Sequence, residues 1–169
     1  MGEYKIFDSR YDLIPEEEIA NLVKDLDHDF HYPIKKRPDF ISYLTLARNF
    51  LAKGFILFCK KENTLVAITV VYADPKNFKY AYIPYTGIRK PHRGKGIIQS
   101  LFDKRKKICK EIGMKGLMSS CSINNVKMIS VLEAAGYKRI INEDEIKKLK
   151  EWNPKDNWEK AFFVLTFSE

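Results

Sequence analysis

The sequence has little that would form disulfide bonds, a metal site or a membrane segment. Cysteine occurs three times in 169 residues, and Cys59, Cys109 and Cys121 show neither the spacing of a metal site nor that of a disulfide framework. No apolar run approaches the ~20 residues that are needed to span a bilayer. The N-terminus lacks the apolar region of a secretory signal and the Ser or Thr of a myristoylation pattern. We therefore expect a cytoplasmic protein with reduced cysteines, no resident metal and no membrane partner.

Length and composition favour one globular domain over residues 1–169. The chain is 45% hydrophobic and 31% charged, which excludes collagen-like and disordered chains. A chain of this length buries about 70% of its unfolded surface, so it forms a core without the help of disulfide bonds or metal ions. We leave open whether the protein is a monomer or a homodimer.

Positive charge is concentrated in one segment. The chain has 30 Lys and Arg against 22 Asp and Glu, a formal net charge of +8. Residues 89–107 hold eight of the basic residues and one acidic residue, which is +7, so the other 150 residues carry 22 against 21, or +1. A confined charge favours one specific polyanion over nucleic acid, which we do not expect as a partner, because Phe102 is the only aromatic residue in the segment. For residues 104–107 an ordinary solvated helix face explains the charge equally well.

The hydrophobic periodicity changes along the chain and predicts a mixed α/β fold with one central sheet. The first half is predicted to hold a short strand at 4–7, helices after Pro15 and from Phe40 with a loop at 27–39 between them, and three antiparallel strands at 54–60, 65–73 and 78–88. The second half is predicted to hold a helix at 97–112, a strand at 115–122, an Asn-led helix ending at Gly136 and a short strand at 137–141. A polar and loop-like segment at 143–160, which leaves room for one helical turn, then precedes a closing strand at 161–167. Arg105 is the one charged residue on the apolar stripe of its helix, and we expect it to snorkel outward.

The third strand carries a proline that cannot donate to a strand ladder. Pro84 predicts an edge, a bulge or a splayed pairing at that point. Simple alternation along this strand predicts two sets of side chains on opposite faces. One face would hold Tyr80, Tyr82 and Thr86, and the other Ala81, Ile83 and Tyr85.

A glycine-rich segment joins this strand to the next helix. Arg93, Gly94 and Gly96 lie where that helix begins, and the first turn of a helix offers unpaired N–H groups and a positive dipole end to phosphate oxygens. A Walker A loop is excluded, because six residues rather than four separate Gly87 from Gly94. A dinucleotide fingerprint is excluded as well, because Gln99 occupies the place of its third glycine and the segment follows an antiparallel meander.

The segment resembles the phosphate-binding motif of the GNAT superfamily of N-acetyltransferases, Arg/Gln-x-x-Gly-x-Gly/Ala. Arg93 and Gly96 match it, Ile88 stands in the place of a preceding valine, and Ile98 replaces the last small residue. Downstream, Asn125 begins a helix that ends in Gly136-Tyr137, as the family's Asn-led helix ends in Gly-Phe. The resemblance implies a mixed, mostly antiparallel central sheet flanked by helices, with splayed central strands.

The resemblance also implies acetyl-CoA as the cofactor. The N–H groups of residues 93–98 would hold its pyrophosphate, and the end of the preceding strand would pair with its pantetheine arm. The implied cofactor-binding residues are Thr86, Gly87, Ile88, Arg93, Gly94, Lys95, Gly96, Ile97, Ile98 and Asn125.

The catalytic groups are less evident in the sequence. The family often uses a Tyr on the Asn-led helix as general acid, where this chain has Leu132, which leaves Ser130 and Cys121 as nearby alternatives. The family's general base, a Glu on the central strand, corresponds to Tyr82. We retain Tyr82 and Ser130 as catalytic candidates, although Tyr82 suits a pocket wall or a core aromatic better than a general base.

The expected function is direct transfer of an acetyl group to an amine, on either a small molecule or a peptide. Asp27 and Asp29, in the loop between the first two helices, would attract a cationic amine, unless that loop is merely solvated. Two alternatives remain: a non-catalytic acyl-CoA-binding module and, less favoured, a basic nucleic-acid-binding domain.

Overall fold

A computed structural model describes residues 3–30, 32–152 and 159–168. Its centre is a sheet of seven strands in the order β1-β2-β3-β4-β5-β7-β6, in which the pairing of β4 with β5 is parallel and every other pairing is antiparallel. The strands are β1 (Tyr4–Asp8), β2 (Phe55–Lys61), β3 (Thr64–Tyr72), β4 (Tyr80–Ile88), β5 (Gly116–Ser122), β6 (Lys138–Arg139) and β7 (Lys160–Thr166). The sheet is therefore mixed and mostly antiparallel, as the sequence predicts.

Helices cover both faces of the sheet and bury a core on each. The helices are α1 (Glu16–Leu26), α2 (Tyr43–Lys53), α3 (Ile97–Glu111), α4 (Val126–Ala134) and α5 (Glu143–Trp152), with one-turn 3₁₀ segments at Asp27–Asp29, Ile34–Lys36 and Lys90–His92. On β3, Ala67 and Val71 belong to the core with α3 and α4, whereas Ile68 and Val70 belong to the core with α1 and α2. Burial on both faces explains the unbroken apolar run of this strand. None of the described helices is long and apolar enough to cross a membrane.

The prediction of a loop at 143–160 is wrong for its first part. Residues 143–152 form helix α5, and residues 153–158 lie outside the described range. The side-chain oxygen of Asn142 accepts the N–H of Glu145, and the first turn carries Glu143, Asp144 and Glu145. The sequence does carry a signal for this helix. Asn142 is a suitable N-cap residue, and the acids after it interact favourably with the positive end of the helix dipole.

Strand β4 contains a bulge beside Pro84, so simple alternation fails there. Tyr82 pairs with Tyr72 of β3, but the next recorded pair joins Tyr85 to Val70. Between these two pairs β4 advances by three residues while β3 advances by two. The extra residue of β4 moves the side chains after it to the opposite face of the sheet. Ala81 and Ile83 pack in the α3–α4 core, whereas Tyr85 packs in the α1–α2 core, so the prediction that these three share a face is wrong.

The same region is splayed from β5. Parallel pairing runs from Tyr80 with Gly116 to Ile83 with Ser119, and the pairing ends there. From Pro84 to Ile88 the β5-facing edge of β4 pairs with no strand of the described structure. Pro84 therefore marks both a bulge and a splay, and the two strands leave a gap between them.

Candidate active site

The loop before α3 has a backbone conformation that favours glycine. Gly94 and Gly96 have φ values of +73° and +74°, in the left-handed region that other L-residues rarely adopt. A Cβ added at either position would meet nothing within 4 Å. The positive φ values therefore favour glycine at both positions, whereas packing against neighbouring atoms does not require it.

The same loop presents a run of available backbone donors. The N–H groups from Gly94 to Ile98 donate no hydrogen bond within the described structure, and the first helical bond of α3 is from Ser100 to the carbonyl of Gly96. The N–H of Arg93 differs, since it donates to the carbonyl of Lys90 at 3.3 Å. Consecutive free N–H groups at the start of a 15-residue helix form a site for phosphate oxygens, so the structure fits the pyrophosphate that the sequence implies.

A cleft of about 490 Å³ opens above this loop. Nine of the ten residues predicted to bind the cofactor line it, and Lys95 is the exception. Residues that the sequence analysis did not select also contribute, namely Leu26, Asp29, Phe30, Gln99, Lys127, Met128 and Val131. Those on α4 follow its helical spacing, which was a usable signal.

The side chain of Arg93 fastens the loop after α1 to the phosphate loop. Its guanidinium donates to the carboxylate of Asp29, and its Nε donates to the carbonyl of Ile88 at 3.2 Å. The hydrogen bond from Arg93 lowers the pKa of Asp29 below the ordinary value. The residue that the motif singles out therefore contributes a connection between loops.

Asp27 is buried and holds the next loop in place. Its carboxylate accepts the N–H groups of Ile34 and Lys35 and, at 2.7 Å, the hydroxyl of Tyr43. Burial and this hydrogen bond raise the pKa of Tyr43 to about 12. Asp27 is therefore engaged in hydrogen bonds within the protein, whereas Asp29, although paired with Arg93, lines the cleft. The attraction of a cationic amine by this loop stays a prediction.

A second, smaller cavity of about 100 Å³ lies where β4 and β5 separate; we call it the acceptor cavity. It shares Phe30, Thr86, Asn125 and Met128 with the cleft, so the two spaces meet. Asn125 stands at this junction and also caps α4, since its side-chain oxygen accepts the N–H of Met128 at 3.1 Å. The remaining lining residues are Tyr32, Arg37, Tyr82, Ile83, Pro84, Tyr85, Phe102, Arg105, Ser119, Ser120, Cys121, Ser122, Leu132 and Lys160.

Arg105 does not snorkel outward; that expectation is wrong. Its side chain is 1% exposed, and its guanidinium lies 3.7 Å above the ring of Phe102. It donates to the hydroxyls of Thr69, Thr86 and Tyr137. Burial lowers its pKa, but an arginine stays charged in proteins. The hydroxyls and the aromatic ring explain how a cation can occupy the apolar stripe of α3.

The two predicted catalytic residues lie in different environments. Tyr82 lines the acceptor cavity, and its hydroxyl is 3.3 Å from the hydroxyl of Ser120. Ser130 is exposed on α4, lines neither cavity, and donates to the carbonyl of Val126 at 3.0 Å. The structure therefore places Tyr82 in the wall of the acceptor cavity and leaves Ser130 outside both spaces.

The wall formed by α4 is apolar, and the thiol beside it is inert. Leu132 is 1% exposed and lines the acceptor cavity at the position where the resemblance places a phenol. Cys121 also lines this cavity, and burial raises the pKa of its thiol to about 11. Neither residue supplies an acid or a thiolate near neutral pH.

No group of three His, Cys, Asp or Glu side chains that suits a metal ion occurs in the described ranges. His31, in the loop at 27–39 between α1 and α2, lies outside those ranges.

Comparison with known proteins gives a family. A sequence model described as "Acetyltransferase (GNAT) family" matches residues 19–137, which is 119 of the 169 residues. No curated protein sequence matches the chain.

Solved structures share the fold at low sequence identity. A GNAT-family acetyltransferase from Staphylococcus aureus has 15% identity and a TM-score of 0.74, over 98% of this chain and 100% of that chain. An acetyltransferase from Salmonella typhimurium, solved with acetyl-CoA, has 12% identity and a TM-score of 0.66, over 98% and 95%. A structure named for streptothricin acetyltransferase from Bacillus anthracis, also solved with acetyl-CoA, has 23% identity and a TM-score of 0.53, over 68% of this chain and 63% of that chain. These similarities establish the fold.

Proposed function

The chain belongs to the acetyltransferase (GNAT) family, and from that premise we propose that it transfers an acetyl group from acetyl-CoA directly to an amine. The observation that carries this proposal is the junction of the cleft with the acceptor cavity. A space with a phosphate-binding end and a second, smaller space meet at Thr86 and Asn125. Two substrates held in these spaces would meet at one point.

The cofactor is held mainly by backbone. Acetyl-CoA supplies an activated acetyl group, because its thioester is open to attack by a neutral amine. The free N–H groups from Gly94 to Ile98 would bind its phosphates, and the unpaired edge of β4 from Pro84 to Ile88 would bind the polar groups of its pantetheine arm. Lys127 adds a cation to the wall of the cleft.

The cysteines support direct transfer over an acyl-enzyme route. An acyl-enzyme route through cysteine needs a thiolate, and Cys121 is the one cysteine among the described residues that line the acceptor cavity. With its pKa raised to about 11, its thiol stays protonated near neutral pH. The amine itself is therefore the nucleophile in this proposal.

The hydroxyls of Tyr82 and Ser120 are the proposed groups for orienting the amine and passing its proton. They are the hydrogen-bonded side-chain pair at the splay of β4 and β5. No donor on α4 is required for the thiolate, because a free thiol has a pKa of about 8.5 and water protonates it readily.

A thiol-release assay with acetyl-CoA and a panel of amines tests the transfer, with the mass of the acetylated product as its second readout. Appearance of free thiol together with an acetylated amine is the expected result. Absence of any acetylated product across the panel, with acetyl-CoA bound, would contradict the proposed function.

A variant tests the role of Tyr82. We expect Tyr82→Phe to lower kcat by about 10²-fold, the lower end of general acid–base effects. Tyr80→Phe is the matched control, since Tyr80 lies on the same strand and lines neither cavity. An unchanged kcat in Tyr82→Phe would remove this residue from the mechanism without affecting the transfer itself.

A further inference from the structure

A hydroxyl group stands where the cleft meets the acceptor cavity. Four of the described residues line both spaces, and Thr86 is the one among them that carries a hydroxyl. We propose that this hydroxyl donates a hydrogen bond to the acetyl carbonyl oxygen of bound acetyl-CoA, and that the buried guanidinium of Arg105 positions it. The inference rests on the proposed function and adds a side-chain donor to the backbone groups that hold the cofactor.

Thr86 belongs to a group of three polar side chains from β3, β4 and α3. Its Oγ1 lies 2.8 Å from Oγ1 of Thr69, and Nη1 of Arg105 lies 3.1 Å from the Thr69 oxygen and 3.3 Å from the Thr86 oxygen. A guanidinium can only donate, so both hydroxyl oxygens accept from it. The direction of the hydrogen bond between the two hydroxyls then decides which proton is left over.

The burial of Thr69 decides that direction. Thr69 is 0% exposed, and within the described structure its hydroxyl has no acceptor other than the oxygen of Thr86. If Thr86 donated to Thr69, the proton of Thr69 would be buried without an acceptor, which is costly. Thr69 is therefore the donor and Thr86 the acceptor. The proton of Thr86 is left for a group in the spaces that this residue lines.

A hydroxyl in this arrangement is a strong donor that faces the transfer site. It accepts two hydrogen bonds, one of them from a cation, and linked hydrogen bonds polarise one another. Thr86 is partly buried and lies on the stretch of β4 from Pro84 to Ile88, whose β5-facing edge pairs with no strand of the described structure. Sulfur is a weak acceptor. The carbonyl oxygen of a thioester is therefore the better partner for this proton.

Arg105 is placed to act through Thr86 and not on the substrate directly. It is 1% exposed, its Nη2 donates to the hydroxyl of Tyr137 at 2.9 Å, and its guanidinium lies 3.7 Å above the ring of Phe102. Packing does not explain this choice of residue, because an apolar side chain would continue the stripe of α3 and a buried cation without a carboxylate partner in the described structure is costly. A role in orienting Thr86 does explain it.

The hydrogen bond assists the attack of the amine on the acetyl group. The amine nitrogen forms a bond to the carbonyl carbon, and the carbon–sulfur bond breaks with its electron pair on sulfur. One proton leaves the nitrogen, and water protonates the thiolate. Negative charge develops on the carbonyl oxygen during the attack, and a donor already aimed at that oxygen stabilises it. Thr86 keeps its own proton throughout.

Infrared spectroscopy of acetyl-CoA labelled with ¹³C at the acetyl carbonyl tests the hydrogen bond without turnover. A hydrogen bond lowers the stretching frequency of a carbonyl group. We therefore expect the bound ligand to absorb at a higher frequency in Thr86→Val than in the parent, and Thr86→Ser to restore the parent frequency. Thr64→Val is the control, because Thr64 is an exposed residue of β3 that lines neither space. Equal frequencies in the parent and in Thr86→Val would overturn the inference.

A double-mutant cycle tests the role of Arg105. Thr86→Val is expected to lower kcat by about 10²-fold, as the loss of an oxyanion donor does. Arg105→Met should lower kcat and raise the carbonyl frequency, but in the Thr86→Val background it should lower kcat by less than about threefold, because Arg105 acts through Thr86. A merely structural role predicts multiplying losses of kcat and an unchanged frequency, and that result would overturn the assignment of Arg105.

A second variant covers the case in which Arg105→Met does not fold. Tyr137→Phe removes the acceptor of Nη2 and keeps the aromatic ring. It should shift the carbonyl band in the same direction as Thr86→Val and by a smaller amount. An unchanged band in Tyr137→Phe would then overturn the positioning role.

The inference and the proposed function fail on different readouts. Acetylation of an amine, together with equal carbonyl frequencies in the parent and in Thr86→Val, would overturn the inference and leave the transfer intact. A carbonyl frequency that depends on Thr86, in a protein that acetylates no amine, would support the hydrogen bond and contradict the transfer. Failure of acetyl-CoA to raise the melting temperature of the parent would overturn both.

Discussion

The cleft and the acceptor cavity differ in the groups that line them: backbone N–H groups at the phosphate end of the cleft, and side chains in the acceptor cavity. The phosphate end of the cleft is one short stretch of backbone, in which the N–H groups of residues 94–98 donate no hydrogen bond within the described structure. The acceptor cavity is a set of side chains from separate segments, including Arg37, Tyr82, Arg105 and Lys160. Backbone donors do not depend on side-chain identity, whereas the charge of a cavity does. The first region can therefore keep its ligand while the second changes its specificity.

Gly96→Val tests the backbone-built region and has the largest expected effect. The valine side chain would enter the open space above the loop, and its β-branch disfavours a φ of +74°. Losing two charge-assisted hydrogen bonds at about 1.5 kcal/mol each weakens acetyl-CoA binding by about 100-fold or more. Calorimetry with acetyl-CoA measures this loss.

Gly113→Val is the matched control for that experiment. Gly113 has a φ of +90° and nothing within 4 Å of an added Cβ, but it lies beyond the far end of α3. A valine at this position would impose similar backbone strain without entering the cleft. Equal losses of affinity in the two variants would mean that strain, and not blocked phosphate contacts, causes the effect.

Gly87→Ala tests whether a change in the lining of the cleft also affects the acceptor cavity. Gly87 lines the cleft, but an added Cβ would lie 2.7 Å from Cδ1 of Leu26 and 3.0 Å from the ring of Tyr85, which lines the acceptor cavity. Tyr85 is held against the rings of Phe30 and Phe50, so it has little room to move. We expect a loss of about 1–3 kcal/mol in urea unfolding, together with a raised KM for the acceptor. An unchanged KM would show that the two spaces are mechanically independent.

Lys160→Met tests how much the charged form of Lys160, in the wall of the acceptor cavity, lowers the free energy of unfolding. The pKa of Lys160 is about 8 in the folded state against 10.5 for an ordinary lysine, so burial disfavours its charged form. This penalty is fully present below pH 8 and disappears as the pH rises to 10.5, because the unfolded chain binds more protons in that window. The variant is expected to be more stable than the parent by about 1–3 kcal/mol at pH 7, with the difference vanishing near pH 10.5.

Urea titrations at several pH values measure the difference. Lys138→Met removes a lysine from an exposed position of β6, the strand that pairs with β7, and is the control for the loss of a lysine from this edge of the sheet. A Lys160→Met variant less stable than the parent at pH 7 would show that the lysine is net stabilising in the folded protein.

Ser130→Ala has the smallest expected effect. The Ser130 hydroxyl is exposed, donates to the carbonyl of Val126 and lines neither space. Its loss should lower kcat by less than about tenfold, below the 10²–10⁴ range of a general acid. Leu132→Tyr, which places a phenol in the acceptor cavity, should raise kcat little, because water already protonates the leaving thiolate. A 10³-fold loss in Ser130→Ala with acetyl-CoA binding intact would make Ser130 the acid.

Local patterns predicted most of the fold. Strand alternation, helix periodicity and turn residues located all seven strands and the first four helices, with bounds that differ by a few residues. The missed helix, α5, has an N-cap, an acidic first turn and apolar residues at helical spacing, namely Ile146, Leu149 and Trp152. These signals were present in the sequence, but the many charged residues of the segment favoured a loop. The reversed face of Tyr85 was missed because a bulge shifts alternation by one residue, and Pro84 indicated only that some irregularity occurs there.

The sequence by itself determined the glycine loop that we propose as the phosphate site. Glycines that need positive φ, at the start of a helix, form a phosphate site from consecutive residues, so no distant contact is required. Only the tertiary structure decided the acceptor cavity. The pairing of Asp29 with Arg93, the burial of Arg105 and the approach of Arg37 to Lys160 bring together residues that are far apart in the chain. Charge in a cavity depends on which side chains meet and which are already paired, and that is fixed only when the chain folds.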